Sequence, residues 1–367
     1  MPTSDEANPR RDSAIVRSLC AWFRANARDL PWRRVTKAGT RDPYRSLVSE
    51  IMLQQTQVSR VLEKFEPFLE AFPTLEALAD ADEDEVLAMW SGLGYYRRAR
   101  SLHACVRQAR DEFGGLPESA ADLESLKGIG RYTAGAIASI VHNHAEPIVD
   151  GNVERVLLRL EGEPMRVGET QTKNWCWERA EELVNKAKSS KSAGVDPATF
   201  NEGLMELGAL VCTPKSPSCE ACPLRGSCAA YRESAQDSIP LPKTRKAKKP
   251  LYMACLIVRD AKSRLLISQR PKGGLWGGLW EVPTIESDTK LPKSAVAKQF
   301  GVATTALIRE DSFVHETTHR SVAVAVYRVD DRSPHLAGRW VSAEVLKELA
   351  MGSLQSRVAV IGLDRKL

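Results

Sequence analysis

Four cysteines within 17 residues constrain this chain more than any other feature of its sequence. Cys212, Cys219, Cys222 and Cys228 give the spacing C-x6-C-x2-C-x5-C in a chain of 367 residues. Four thiolates this close together are typical of a metal centre, and the remaining interpretation is four unrelated core cysteines. Ligand chemistry allows either a tetrahedral structural zinc or a [4Fe–4S] cluster. Zinc sites usually carry two C-x2-C pairs, whereas this loop has one.

The hydrophobic pattern of the rest of the chain changes from helical periodicity to a mixture of helical and strand-like segments. Helical periodicity, as in Ile15, Leu19, Trp22 and Phe23, predicts a short flexible tail over 1–13 and an all-α domain over 14–230. Residues 231–250 have two spaced prolines before a basic run, which predicts an exposed linker that is either solubilising or in contact with phosphate. Short β-branched runs beyond it predict an α+β domain over 251–367. We therefore expect a multidomain protein.

Composition narrows the classes of protein. No stretch approaches the roughly 18 apolar residues of a membrane span, and the mixed-charge amino terminus is unlike a signal peptide. We therefore expect a soluble cytoplasmic protein. The net charge of +5 is small, and the basic excess lies beyond residue 230. Any nucleic-acid binding by the helical part must come from local arrangement rather than from bulk charge.

Two carboxylates are placed where chemistry could use them. Asp150 precedes the amphipathic helix of VDGNVERVLLRL, where Asp is ordinarily an N-cap. Glu50 is the sole acid between Asp42 and Glu63, among apolar neighbours. If buried, it would have a raised pKa suited to a general acid, although most Glu side chains face solvent. A Gly-Ile-Gly turn at 128–130 before a helix could hold a phosphate or be a simple turn.

These segments together resemble one family. PWR at 31–33, SEIMLQQTQV at 49–58, GLGYYRRAR at 92–100, LKGIG at 126–130, VDGNV at 149–153 and NEGLMELGALVC at 201–212 occur with the cysteine loop in the order found in MutY-type adenine DNA glycosylases. That family lies in the endonuclease III, or helix-hairpin-helix, superfamily. The resemblance covers nearly all of 30–230. It implies a helix-hairpin-helix at about 122–140, a [4Fe–4S] loop at 212–228, and removal of adenine opposite 8-oxoguanine or guanine in duplex DNA.

The resemblance also implies roles for individual residues. Glu50 would protonate adenine N7 and Asp150 would stabilise the oxocarbenium ion, with support from Tyr132 and Asn152. Trp32, Arg33 and Glu202 would line the adenine pocket. DNA contacts would come from Gln54, Gln55, Thr56, Leu93, Tyr95, Arg97, Gly128 and Gly130, with Gln55 and Leu93 as wedges. For Trp32 and Leu93, ordinary core packing remains open.

One position separates this chain from its bifunctional relatives. These carry a Lys two residues after the second glycine of the hairpin, whereas this chain has Tyr132. A phenol cannot form a Schiff base, so we predict a monofunctional glycosylase. The alternatives are a thymine-mismatch or abasic-site enzyme, which Tyr132 disfavours, and a non-catalytic iron–sulfur protein that binds damaged DNA, which retention of both carboxylates disfavours.

The C-terminal domain begins with RPKGGLWGGLWEVP at 270–283, which resembles the opening of the Nudix-like domain of the same family. The Glu-rich box that binds Mg²⁺ in Nudix hydrolases is missing, so we predict binding rather than hydrolysis. The resemblance assigns recognition of 8-oxoguanine to Thr317, Thr318 and His319 of HETTH. The family reads H-x-F-S-H there, so Thr317 replaces an aromatic residue. We expect a monomer on nucleoid DNA, as in a prokaryote, with unknown protein partners.

Overall fold

The computed structural model describes residues 9–37, 39–242, 247–329 and 336–363. Within it the chain forms two compact units, Met1–Ala81 with Ser101–Thr244, and Asp82–Arg100 with Arg245–Leu367. Residues 82–100, which the sequence prediction places in the helical domain, therefore group with the C-terminal unit. No helix in these described stretches is long and apolar enough to cross a membrane.

The first unit is helical, as predicted. Its helices are α1 Pro9–Asn26, α2 Pro43–Leu53, α3 Val58–Ala71, α4 Leu75–Asp80, α7 Ala120–Ser125, α8 Arg131–Ile140, α9 Gly151–Glu161, α10 Thr170–Lys188, α11 Pro197–Leu210 and α12 Ala229–Arg232. Helix α5, Glu83–Met89, lies in the second unit, and helix α6, Arg97–Gln108, begins there. Side-chain caps begin several of them: Asp42 caps α2 and Asp196 caps α11.

A single apolar cluster holds the long helices of this unit together. Leu19 of α1, Leu157 of α9, Leu183 of α10 and Leu204 of α11 are all fully buried in it. Burial of side chains of this size contributes roughly 1.5–3 kcal/mol each, so this cluster stabilises the packing of α1, α9, α10 and α11. It also packs against three of the four clustered cysteines, which ties the metal loop to the helical core.

The second unit is a small α+β fold. Its strands are β1 Lys249–Ile257, β2 Leu265–Gln269, β3 Trp280–Glu281, β4 Thr284–Ser287, β5 Leu307–Glu316, β6 Arg320–Val329 and β7 Arg339–Val341, with helices α13 Lys293–Phe300, α14 Ala343–Glu348 and α15 Ser353–Leu363. A four-stranded sheet has the order β4-β1-β6-β5, with β1 and β6 parallel, and a three-stranded sheet has the order β3-β2-β7.

Both faces of the four-stranded sheet are covered by apolar side chains. Successive residues of a strand point to opposite faces. Met253 and Cys255 of β1 accordingly pack with Val358 of α15, whereas Ala254 and Leu256 pack with α13. This explains why LYMACLIV reads as a continuous apolar run rather than an alternating one.

Two predicted boundaries need correction, and several elements of the second unit were not predicted. Residues 1–8 of the predicted tail lie outside the described residues, and α1 begins at Pro9, so residues 9–13 are helical. The predicted linker is ordered in its first half, because Ile239 is 5% exposed and its carbonyl accepts from Arg159. Residues 243–246 of its basic run lie outside the description. The elements of the second unit that were not predicted are β3, β4, β5, β7 and α15.

Candidate active site and cysteine loop

A cavity of about 680 Å³ lies within the helical unit. It is bounded by α2, the Gly-Ile-Gly hairpin, the start of α9, and α11. The predicted site residues that line it are Trp32, Arg33, Glu50, Gln54, Gln55, Thr56, Gly128, Gly130, Tyr132, Asp150, Asn152 and Glu202. Segments far apart in sequence therefore converge on one cavity that contains both predicted carboxylates.

Glu50 projects from α2 into this cavity. Removal from water raises the pKa of its carboxyl to about 7, and the negative charges of Asp150 and Glu202 act in the same direction. A hydrogen bond of 3.1 Å from the hydroxyl of Tyr132 to Oε2 of Glu50 opposes the shift. The same surroundings raise the pKa of Tyr132 above its usual value, so its hydroxyl remains a donor. Glu50 is thus a carboxyl that exchanges its proton near neutral pH, as a general acid requires.

Asp150 is the N-cap of α9 and a wall of the cavity at the same time. Its Oδ1 accepts from the backbone amides of Asn152 at 2.9 Å and Val153 at 2.8 Å, and its Oδ2 accepts from Nδ2 of Asn152 at 3.1 Å. The partial positive charge at the helix N-terminus stabilises a carboxylate here. The ordinary N-cap role and the proposed catalytic role are therefore compatible, because the cap fixes the orientation of the carboxylate.

Asn152 is fixed in turn by Arg155 and by a close helix approach. The guanidinium of Arg155 donates to Oδ1 of Asn152 at 2.8 Å and to the carbonyl of Cys212 at 2.7 Å. A continuous chain of contacts therefore joins Asp150 to the cysteine loop. At Gly208 of α11, a Cβ would lie 2.8 Å from Cβ of Asn152. A side chain larger than hydrogen at this position would displace α11 or Asn152.

Charged residues that the sequence analysis did not assign complete the base pocket. Arg41 contacts Glu202, and Arg28 contacts Glu206; all four residues line the cavity. Although burial raises the pKa of Glu206, hydrogen bonds from Arg28 and Arg33 lower it to about 2. Ion pairs between segments about 170 residues apart leave no periodic signal in a sequence, which is why they were missed.

Trp32, the tryptophan of PWR, both packs in the core and lines the cavity, the two roles between which the sequence did not decide. Trp32 is 8% exposed and packs edge-on against Phe65, with ring centroids 5.4 Å apart. It also lines the cavity. Its packing in the core therefore makes it a rigid wall of the pocket.

The Gly-Ile-Gly turn leads directly into α8. Gly128 has φ +79°, and a Cβ there would lie 2.5 Å from Cβ of Ser101. Gly130 is the N-cap of α8, and an added Cβ would meet no atom within 4 Å, so its surface is open. An open glycine followed by the free amides of a helix start suits a phosphate group.

Residues at the end of α2 form part of the cavity wall beside Glu50. The side chain of Gln54 donates to Thr133 at 3.4 Å, and Thr56 donates to the carbonyl of Gln54 at 3.3 Å. Gln55 lies just beyond the end of α2, is exposed and has φ +53°, a left-handed conformation. These positions are consistent with a protruding Gln55.

The remaining predicted DNA contacts lie in the second unit. Leu93 is 5% exposed, whereas its neighbour Tyr95 is 49% exposed with φ +48°. A wedge formed by Leu93 would require this loop to move; its burial here matches the core-packing interpretation. Arg97 is exposed at the start of α6. Tyr95 and Thr318 share a hydroxyl–hydroxyl hydrogen bond of 2.5 Å, so the two loops predicted to read DNA touch within this unit.

The HETTH segment contains the last two residues of β5 and the turn, residues 317–319, that leads to β6. The hydroxyl of Thr317 receives a hydrogen bond from the amide of Arg320 at 2.9 Å and donates to its carbonyl at 3.0 Å. Thr318 and His319 are exposed at the tip. Thr317 therefore stabilises the turn, while the hydroxyl of Thr318 is engaged with that of Tyr95 and His319 lies exposed beside it.

Two acidic residues of the second unit are held in ion pairs. Arg270 pairs with buried Glu281 at 2.7 Å and with Glu286 at 2.8 Å. Gln355 donates to the same Glu281 carboxylate at 3.3 Å. The sequence of α13 has no acidic residue at all. That this unit binds rather than hydrolyses stays a prediction.

The four clustered cysteines fit an anionic metal centre. All four line one small cavity, together with Arg159 and Arg225. Nη1 of Arg159 lies 3.4 Å from Sγ of Cys212, so a guanidinium faces the sulfurs. Burial and the other thiols raise the pKa of Cys222 to about 11, so a nearby metal cation would favour its thiolate form. Cys212, Cys219, Cys222 and Cys228 would hold the cluster.

Comparison with family models defines the class of protein to which the chain belongs. Residues 48–182 match the HhH-GPD superfamily of base excision DNA repair proteins, and residues 212–228 match the iron–sulfur binding domain of endonuclease III. Residues 254–359 match the NUDIX domain. The iron–sulfur match decides between zinc and iron, so the cofactor is a [4Fe–4S] cluster and the prediction is confirmed.

Individual relatives narrow the class to a family. The adenine DNA glycosylase of Rattus norvegicus is 33% identical over 94% of this chain and 77% of its own length. That of Buchnera aphidicola is 35% identical over 73% of this chain and 74% of its own length. A thermostable thymine-DNA glycosylase structure matches 62% of this chain and all of its own, with TM-score 0.53 and 26% identity. The chain belongs to the adenine DNA glycosylase family.

Proposed function

We propose that this chain hydrolyses the N-glycosidic bond of adenine opposite 8-oxoguanine or guanine in duplex DNA. One observation carries the proposal: Glu50, whose pKa is raised to about 7, shares a cavity with the cap-held carboxylate of Asp150. Breaking this bond leaves negative charge on the base and positive charge on the deoxyribose. A proton donor and a nearby anion lower both costs.

Each residue of the centre has a defined task in this proposal. The protonated form of Glu50, which the raised pKa of about 7 keeps populated near neutral pH, gives its proton to adenine N7. The hydroxyl of Tyr132 then donates to the carboxylate that remains. Asp150, oriented by Asn152 and the start of α9, stabilises the oxocarbenium ion before water attacks it. Adenine reaches this centre only after it leaves the base stack.

The hairpin and the cysteine loop support the proposal outside the cavity. The open surface at Gly130 and the amides of α8 suit a DNA phosphate. The [4Fe–4S] cluster, when bound, supplies a fixed scaffold for the loop that Arg155 links to Asn152. All residues proposed to act on the base lie in one unit of one chain, which supports a monomer as the active form.

Tyr132 supports a monofunctional enzyme. It occupies the position from which a Lys amine would attack C1′ in a lyase, and its hydroxyl is engaged with Glu50. The exposed Thr318 and His319 are our candidates for contact with 8-oxoguanine. The neutralised Glu281 supports a recognition role for the second unit rather than hydrolysis of nucleotides.

A single-turnover assay on four duplexes tests these points. The duplexes carry A opposite 8-oxoguanine, A opposite guanine, T opposite guanine, and an abasic site. We expect adenine release from the first two, with strand breaks only after alkali. Release of thymine instead would favour a thymine-mismatch enzyme like the structural neighbour. No base release by the cluster-loaded protein would contradict the proposal. Borohydride trapping at the efficiency of a lyase would contradict the monofunctional assignment.

A further inference from the structure

The described residues between Arg33 and Arg41, which are 34–37 and 39–40, form a small hairpin beside the cavity. Val35 and Arg41 pair as an antiparallel bridge. The amide of Thr36 donates to the carbonyl of Thr40 at 2.7 Å. The amide of Gly39 donates to the carbonyl of Thr36 at 2.9 Å. Gly39 has φ +80°, the left-handed conformation that the turn requires. The hairpin therefore brings the chain back on itself and places Arg41 close to Trp32 and Arg33.

Arg41 is directed inward from this hairpin rather than into solvent. Its side chain is 16% exposed. Its Nη2 lies 2.9 Å from Oε2 and 3.1 Å from Oε1 of Glu202, and its Nη1 donates to the carbonyl of Trp32 at 3.2 Å. One guanidinium thus contacts both oxygens of a pocket carboxylate and the backbone of a pocket aromatic residue.

Arg41 is also the end of a ladder of alternating charges along the pocket wall. Arg33 donates to Oε1 of Glu202 at 3.1 Å and to both oxygens of Glu206 at 3.1 Å. Arg28 completes the ladder by contacting Glu206 at 2.7 Å. All five side chains line the cavity. Removal of Arg41 would leave the negative charge of Glu202 balanced by Arg33 alone, which also pairs with Glu206.

We propose that Arg41 is a positioning residue for base excision: it holds Glu202 in the orientation that receives the flipped adenine. The inference rests on the proposed function, since it concerns the same pocket. Arg33 contacts one oxygen of Glu202, whereas the hydrogen bond to the other oxygen comes from Arg41. Without Arg41 the carboxylate can rotate about its last bond, and a displacement of about 1 Å in such a group can cost on the order of 100-fold in rate.

The charge of Arg41 provides a second readout. The negative charge of Glu202 raises the pKa of Glu50. With Arg41 gone, that charge is less balanced, and the proton on Glu50 is held more tightly. The excision rate falls at alkaline pH when Glu50 loses its proton, so this limb of the pH profile should move to higher pH.

Three variants of the full, cluster-loaded chain test the proposal. Arg41→Gln should slow single-turnover excision of adenine by about 10- to 100-fold and move the alkaline limb to higher pH, while affinity for an abasic-site duplex changes less than about twofold. Arg41→Lys keeps the charge but not the two-oxygen contact, so it should leave the limb in place and recover part of the rate. Arg179→Gln is the control, because Arg179 makes a similarly buried pair with Asp12, at 2.6 Å, and also pairs with Glu161 and Glu182, away from the cavity. It should lower the melting temperature without moving the limb.

The outcomes are distinguishable. Unchanged excision in Arg41→Gln, an unmoved limb, or an equal loss of abasic-duplex affinity would each overturn the role of Arg41 while the wild type remains active. A wild type that releases no adenine would instead overturn the proposed function. If Arg41→Gln loses its cluster absorbance and does not fold, the Lys variant decides: full wild-type rate, or a limb displaced from that of the wild type, overturns the proposal.

Discussion

Replacement of Glu50 by Gln should abolish catalysis and at the same time stabilise the protein, with a gain that grows with pH. The pKa of Glu50 is raised from 4.5 to about 7 in the folded chain. Between these two values the folded state binds more protons than the unfolded state, so the free energy of unfolding falls as pH rises through this window. Above it, the ionised carboxylate is held in a site that disfavours it. Glutamine removes that cost and keeps an acceptor for Tyr132.

The magnitude follows from the size of the shift. About 2.5 pKa units at about 1.4 kcal/mol each correspond to a limit of about 3 kcal/mol. Linkage gives a difference of about 1 kcal/mol at pH 5 and about 3 kcal/mol at pH 8 in favour of Glu50→Gln. Excision should fall by at least about 100-fold, the ordinary contribution of a general acid.

Urea unfolding of the wild type and Glu50→Gln at the two pH values measures this difference directly. Glu63→Gln is the control, because Glu63 is 60% exposed and pairs with Arg60 on the surface of α3. It should change the free energy of unfolding little at either pH. A Glu50→Gln gain that is the same at both pH values, or a loss that grows with pH, would refute the burial argument.

Three further substitutions test other parts of the centre. Tyr132→Phe removes the hydrogen bond that lowers the pKa of Glu50, so the alkaline limb of the excision profile should move to higher pH in a pH–rate series. Gly208→Ala places a Cβ 2.8 Å from that of Asn152, so excision should fall by about tenfold or more while the iron–sulfur absorbance is retained. Arg155→Gln breaks contacts to both Asn152 and the cysteine loop, so it should slow excision and hasten loss of cluster absorbance in the same sample.

The sequence predicts those parts of the site that depend on local order. The spacing of the four cysteines and the turn around Gly128 are set by near neighbours, and family-model matches now confirm the cofactor and the fold class. The N-cap of α9 at Asp150 follows from local pattern too, and the structure shows it. In each case a residue and its structural partner lie within a few positions of each other.

The sequence could not predict what depends on long-range pairing. Arg41 contacts Glu202, which lies 161 positions away in the sequence, and no periodic pattern predicts such a pair. The grouping of 82–100 with the C-terminal unit depends on contacts such as that of Tyr96 with Met351, 255 positions away. The burial of Leu93 could not be predicted either, because a motif identifies the residue but does not show whether its side chain is buried.

Asp150, Trp32 and Gly208 show why structural and functional interpretations of this sequence were hard to separate. Asp150 caps α9 with the same oxygens that orient it in the cavity. Trp32 packs edge-on against Phe65 and is thereby held still as a pocket wall. Gly208 lets α11 approach Asn152, which holds Oδ2 of Asp150. A catalytic group must stay within a fraction of an ångström of its working geometry, and a packed helical core is what supplies that restraint. The two interpretations describe the same contacts.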